Sequence, residues 1–84
     1  MKGIEKVIES FKENGQIVSL IQESVYFDLT EHNAYYVKYY VRNQDFDDAY
    51  DLISSNHYND IEQAKIKFNN VCDKVMQPWA IIYF

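Results

Sequence analysis

The spacing of apolar residues changes along the chain, and near the N-terminus it is the spacing of a helix. Residues 4–11 carry apolar side chains at i, i+3, i+4 and i+7, the pattern of one helical face. These residues are Ile4, Val7, Ile8 and Phe11. Asn14-Gly15 follows directly and can take the left-handed conformation that closes a helix. The pattern predicts an N-terminal helix over about residues 2–13.

Beyond Gly15 the apolar residues alternate with polar ones, as in half-buried strands. Val25 and Phe27 begin this alternation, and residues 34–42, rich in Tyr and Val, give the strongest strand signal. A third and weaker alternation runs over residues 50–54. The connections are short, so neighbouring strands must be antiparallel. We therefore expect a three-stranded antiparallel meander.

The C-terminal part returns to helical spacing. Asn59 stands where an N-cap is expected, with Glu62 three residues later as its reciprocal partner. One side of the predicted helix is apolar and consists of Ile61, Ala64, Phe68, Val71, Cys72 and Val75. Pro78 ends it, and the apolar tail 79–84 is expected to pack as a short strand or over the helices.

Together these elements predict a single α+β domain spanning residues 1–84. Its order is an N-terminal helix, a three-stranded antiparallel meander, a C-terminal helix and a short apolar tail. Both helices are expected on one sheet face, which buries every apolar stripe. Apolar residues make up 48% of the chain and aromatic residues 17%, enough for the core of a small domain.

The net charge and the cysteine content restrict the partners and the cellular compartment that we expect for this chain. A formal charge of −5 disfavours direct nucleic-acid binding and anionic membranes, while it permits a basic protein partner. The single Cys72 cannot form an internal disulfide, and no apolar run approaches the length of a membrane span. The sequence thus predicts a cytoplasmic protein.

No catalytic or metal-binding pattern is present, so we expect neither an enzyme nor a cofactor. Cys72 lies on the apolar side of its helix, and His32 and His57 lack the partners of a triad. The acidic cluster of residues 45–51 fails as a calcium loop, since position 6 would be Tyr50 instead of Gly. The cluster has two interpretations: a solvated connection, or a patch that faces a basic partner. Its members are Asp45, Asp47, Asp48 and Asp51.

The central strand suggests a second candidate surface. If Val37 and its alternate neighbours face the helices, the opposite face carries Tyr36, Lys38, Tyr40 and Arg42, with Tyr26 of the preceding strand beside them. Tyr and Arg are enriched at binding hot spots. Three interpretations remain open: coverage by the tail or simple exposure, contact with a protein partner or a second copy, and stacking on single-stranded nucleic acid.

The predicted architecture and net acidity, over Ile4 to Val75, resemble small acidic accessory proteins of phages and mobile elements, of the anti-CRISPR type. The resemblance implies a non-enzymatic protein-interaction module that inhibits a host or competitor protein that handles nucleic acid. It carries no residue roles with it. The alternative is a small-molecule or nucleotide-binding oligomeric domain with a tyrosine-lined pocket.

Overall fold

The chain folds as an antiparallel sheet followed by a helix. The computed structural model describes residues 3–46 and 48–76. Within them lie strands β1 (Ile4–Glu13), β2 (Gln16–Phe27), β3 (Thr30–Arg42) and β4 (Tyr50–Tyr58), and helix α1 (Ile61–Val75). The strand order is β1-β2-β3-β4, a meander in which each strand pairs with the one before it. The α+β class is as expected, but the predicted arrangement is wrong: among the described residues the sheet has a fourth strand, and a single helix packs on it.

The predicted N-terminal helix is strand β1. Its pairing with β2 shifts register between Val7 and Glu9, which leaves Ile8 as the extra residue of a β-bulge. The bulge resets the alternation, so that Phe11 lies on the same face as Ile4 although they are seven residues apart. A bulged strand can therefore show the apolar spacing of a helix, which is why the pattern predicts a helix where the chain forms β1.

Asn14-Gly15 forms a hairpin turn instead of a helix end. Both residues have positive φ, 53° at Asn14 and 72° at Gly15. Two successive left-handed residues define the type I′ turn, whose twist matches antiparallel strands and which favours Asn-Gly. The dipeptide thus joins β1 to β2 directly.

The β2–β3 hairpin is long and turns at Asp28 and Leu29, which also have positive φ. Its pairing is regular from Gln16↔Val41 to Phe27↔Thr30. Residues 30–33 therefore belong to β3. Beyond the helix-covered part, the helix-side face becomes polar: the Gln22 amide and the Ser24 hydroxyl both donate to the Asn33 side-chain oxygen, at 3.2 and 2.8 Å.

Strand β4 is longer than predicted. It extends to Tyr58, so that His57 lies within the strand, opposite Tyr36. Its pairing with β3 shifts register where Ile53 stands as an additional residue between Leu52 and Ser54. This second bulge explains why the alternation of residues 50–54 did not continue clearly along the strand.

Helix α1 is confirmed, with its cap one residue later than predicted. Asp60 is the N-cap, and its carboxylate accepts from the Glu62 backbone N–H at 3.1 Å. The helix buries the predicted apolar side against β2 and β3. The resulting core comprises Val18, Leu20, Val37, Tyr39, Ala64, Phe68, Val71, Cys72 and Val75. The tail 79–84, expected to pack as a strand or over the helices, lies outside the described residues.

Candidate functional site

The sheet has one face under α1 and one that no described element covers, which we call the open face. Val37 and Tyr39 of β3 are buried under the helix, while Tyr35 and Val41 pack at the margin of the same core. Strand alternation then directs Tyr36, Lys38, Tyr40 and Arg42 to the open face. The structure brings together these four residues, as predicted.

Tyr26 does not join them. It pairs with Glu31 in an unshifted register, which places it on the same face as Val18 and Leu20, beyond the end of the helix. Its side chain is 57% exposed. The expectation that Tyr26 lies beside the central tyrosines is therefore wrong, because β2 alternates in the opposite phase from the one assumed.

Cross-strand pairing arranges the open face in rows. Lys12, Ile17, Tyr40 and Leu52 lie opposite one another across the sheet. The next two rows contain Ser10, Ser19, Lys38 and Ser55, and then Val7, Ile21, Tyr36 and His57. Arg42 pairs with Tyr50 at one end, and Glu5 aligns with Glu23 at the other.

The sequence analysis missed Lys12, Tyr50 and His57 as members of this face. Lys12 falls within the predicted N-terminal helix, Tyr50 within the weakest predicted strand, and His57 beyond the end of that strand. The Asn-Gly dipeptide was the signal that could have placed Lys12, because a two-residue Asn-Gly connection between apolar runs indicates a hairpin.

Side chains from the outer strands close over one end of the open face. The Lys12 ammonium lies 5.2 Å from the centre of the Tyr50 ring, although β1 and β4 are separated by two strands. The Tyr50 hydroxyl is buried without a hydrogen-bond partner of good geometry. The nearby Lys12 ammonium, followed by the Arg42 guanidinium, lowers the pKa of Tyr50.

The centre of the face is tightly filled even without a helix above it. The Lys38 ammonium lies 5.6 Å from the Tyr36 ring centre, and the Tyr36 and His57 rings are 5.2 Å apart. Burial and, secondarily, the Glu23 carboxylate raise the pKa of Tyr36. Beneath these side chains Ser19 and Ile21 are only 8% and 6% exposed.

The two ends of the open face carry opposite charges. Lys12 and Arg42 lie at its basic end, Lys38 lies at its centre, and Glu5 and Glu23 form its acidic end. Strand β4 contributes no charged side chain to either end, because Asp51 pairs with Val41 and so lies on the helix side. Counted over the described residues, the open face is therefore net positive by one charge, while the whole chain is −5.

Two members of the acidic cluster, Asp45 and Asp48, lie in the β3–β4 connection, and Asp51 is the second residue of β4. Asp45, Asp48 and Asp51 are exposed. Asn43 organises this segment: its side-chain oxygen accepts from the backbone N–H of Asp45 at 2.7 Å, and its amide donates to the Asp51 carboxylate at 3.1 Å. Asp47 lies outside the described residues. At least Asp51 thus has an intramolecular role, which fits a solvated connection.

Other chemistry is sparse in the part of the chain that the structure describes. A shallow groove of about 290 Å³ lies on the helix side and is lined by Tyr58, Gln63, Ile66, Lys67 and Asn70, so the tyrosines of the open face take no part in it. No three His, Cys, Asp or Glu side chains converge on a common point among residues 3–46 and 48–76. Burial raises the pKa of Cys72 to about 11, which leaves a poor nucleophile.

Helix α1 is too short to cross a bilayer, and no longer helix occurs in the described ranges. Comparison with known proteins finds no matching family, no similar characterised protein and no similar solved structure. The resemblance to phage accessory proteins therefore stays a prediction. Any functional argument has to come from the geometry of this chain.

Proposed function

We propose that this chain is a non-catalytic protein-binding module and that the open face is its binding surface. The observation that carries the proposal is the row arrangement, which gathers aromatic and basic side chains on a sheet face that the helix leaves uncovered. Sheet faces exposed to water are ordinarily polar, whereas Tyr and Arg are typical of binding hot spots.

Preorganisation supports this role. The contacts Lys38–Tyr36 and Tyr36–His57 restrain long side chains at the centre of the face before any partner arrives. Ordering such side chains during binding costs about 0.5–1.5 kcal/mol each, so restraint in the free protein favours affinity. A surface of this kind suits a flat protein partner better than a small ligand, because its aromatic rings enclose no cavity among the described residues.

Capture of binding proteins tests which surface is responsible. The full-length chain is immobilised and exposed to a lysate, and bound proteins are identified by mass spectrometry. We expect a Lys38→Glu/Arg42→Glu variant to lose the proteins that the unmodified chain captures. The control, Asp45→Lys/Asp48→Lys, changes the charge of the β3–β4 connection by the same magnitude and should retain them.

Retention by the open-face variant together with loss by the control would contradict the proposal and assign binding to the acidic connection. Circular dichroism of both variants verifies that each one folds. All four positions are on the surface or at its margin, so the substitutions remove no core contact.

A further inference from the structure

The charges of the open face have a regular separation along the strands. Lys12 and Glu5 both belong to β1 and both face the open side, three rows apart. Successive rows are two residues apart, so this separation is about 20 Å. At that distance the two side chains cannot contact each other within one chain.

A second copy of the chain brings them together. Consider two open faces stacked with a two-fold axis between the Lys38 row and the Tyr36 row, directed across the strands. The axis reverses the order of the rows and keeps each strand over its counterpart. The Lys12 position of one copy then lies over the Glu5 position of the other, so the Lys12 side chain pairs with Glu5 once it leaves the Tyr50 ring, and the Lys38 position lies over Tyr36 of the other copy. Stacked sheets are about 10 Å apart, a gap that a Lys–Glu pair can span.

Uniformly charged partners fit this face less well. An acidic peptide or a nucleic-acid strand would gain from Lys12 and Arg42, but it would meet Glu5 and Glu23 at the other end. A basic partner has the reverse conflict. Because the described residues of the face are net positive by only one charge, two stacked faces repel each other weakly, and most of the acidic side chains that give the chain its charge of −5 lie away from the interface.

The available area is close to what such an interface requires. Four strands about 4.8 Å apart and up to about 40 Å long give a face on the order of 700 Å². Stable complexes bury about 800 Å² of accessible surface per partner. Projecting side chains such as Val7 and Leu52, both more than half exposed, add accessible surface to this flat area.

We infer that the chain forms a face-to-face homodimer through its open face, with Lys12 of each protomer paired with Glu5 of its partner. This inference rests on the proposed function, since it names the protein that occupies the same surface. The dimer is a two-layer sandwich of sheets with the helices on its outside.

Charge exchange tests the pairing in the full-length chain. Sedimentation equilibrium gives the dimer dissociation constant of the unmodified protein and of Lys12→Glu, Glu5→Lys and the double variant. Each single change places like charges together twice per dimer, and we expect it to weaken the dimer roughly tenfold or more. The double variant restores opposite charges at both positions, so its constant should return to within about threefold of the original.

Matched controls use the other face of the same strand. Lys6→Glu and Glu9→Lys make the same charge changes at exposed positions on the helix side of β1 and should leave the dimer unchanged. A monomer at the highest concentration measured would overturn the inference, as would a double variant weaker than either single one. If the chain is monomeric and Lys38→Glu/Arg42→Glu still abolishes capture of another protein, the homodimer is excluded while the proposed function stands.

Discussion

Leu29 occupies a backbone conformation that suits glycine. Its φ is 64° at the second position of the β2–β3 turn, and its side chain is fully exposed. The left-handed conformation costs a residue with a Cβ about 1–2 kcal/mol of conformational free energy, and it costs glycine almost none. We expect Leu29→Gly to raise the free energy of unfolding by about 1 kcal/mol, measured by urea denaturation. The control Glu31→Gly, in an extended part of β3, should lower it by roughly 0.5–1 kcal/mol. Destabilisation by Leu29→Gly would show that the Leu29 side chain has contacts that stabilise the turn.

Cys72 links stability to alkaline pH. Burial is the main cause that raises its pKa from 9.0 to about 11, and Asp73 and Glu9 add to it. The folded state therefore holds the proton more tightly than the unfolded state. This contribution to stability is complete below pH about 8.5 and is lost as the pH rises toward 11.

We expect Cys72→Ala to flatten the fall in unfolding free energy between pH 8.5 and 11, measured by denaturation at a series of pH values. The remaining slope should combine Tyr39 and Tyr36, whose raised pKa values act in the same direction, with Tyr50, whose lowered pKa acts in the opposite direction. Native Cys72 should react slowly with iodoacetamide at pH 8. Rapid modification without unfolding would contradict the burial of the thiol.

Helix α1 depends on the cap at Asp60. The Asp60 carboxylate accepts from the Glu62 N–H, whereas Asn59 precedes the cap. We expect Asp60→Ala to lower the free energy of unfolding by about 1 kcal/mol. Asn59→Ala should change it by less than about 0.5 kcal/mol. Thermal denaturation followed at 222 nm measures both, and the opposite ranking would return the cap to Asn59.

The elements differ in how much of them the sequence could predict. Helix α1 and the centre of β3 follow from uninterrupted periodicity, and both are confirmed. Strand β1 does not, because the bulge at Ile8 changes the face between Val7 and Glu9 and imitates a helical repeat. The position of a bulge is defined by the register with the neighbouring strand, so it cannot be read from the residues of one strand alone. The same limit applies to the open face: Tyr36 to Arg42 follow from one strand, while Lys12 and Tyr50 required the register of the whole sheet.

At the scale of the molecule, the helix covers only part of the sheet. The described core ends near Leu20 and Val37, and residues 26–33 at the far end of the β2–β3 hairpin are exposed. The long dimension of 47 Å matches the approximately 44 Å length of a 13-residue strand such as β3.

Hydrogen exchange should reveal this division. We expect amides of residues 26–33 to exchange faster than those of Val18, Leu20, Val37 and Tyr39, because local opening near the turn disturbs few buried contacts. Amide exchange followed by NMR or mass spectrometry at neutral pH measures the difference. Equal protection along the hairpin would show that the sheet opens as one cooperative unit.

The meander order also has a consequence for how the chain folds. Each strand pairs with its neighbour in sequence, while the docking of α1 on β2 joins residues about 50 positions apart, as Val71 and Leu20 are. Local contacts close with little loss of chain entropy, so the sheet is expected to form before the helix docks. Val71→Ala should then accelerate unfolding and leave the refolding rate nearly unchanged in stopped-flow experiments. If the substitution instead slows refolding, helix docking belongs to the folding nucleus, and the sheet does not form before α1 packs on it.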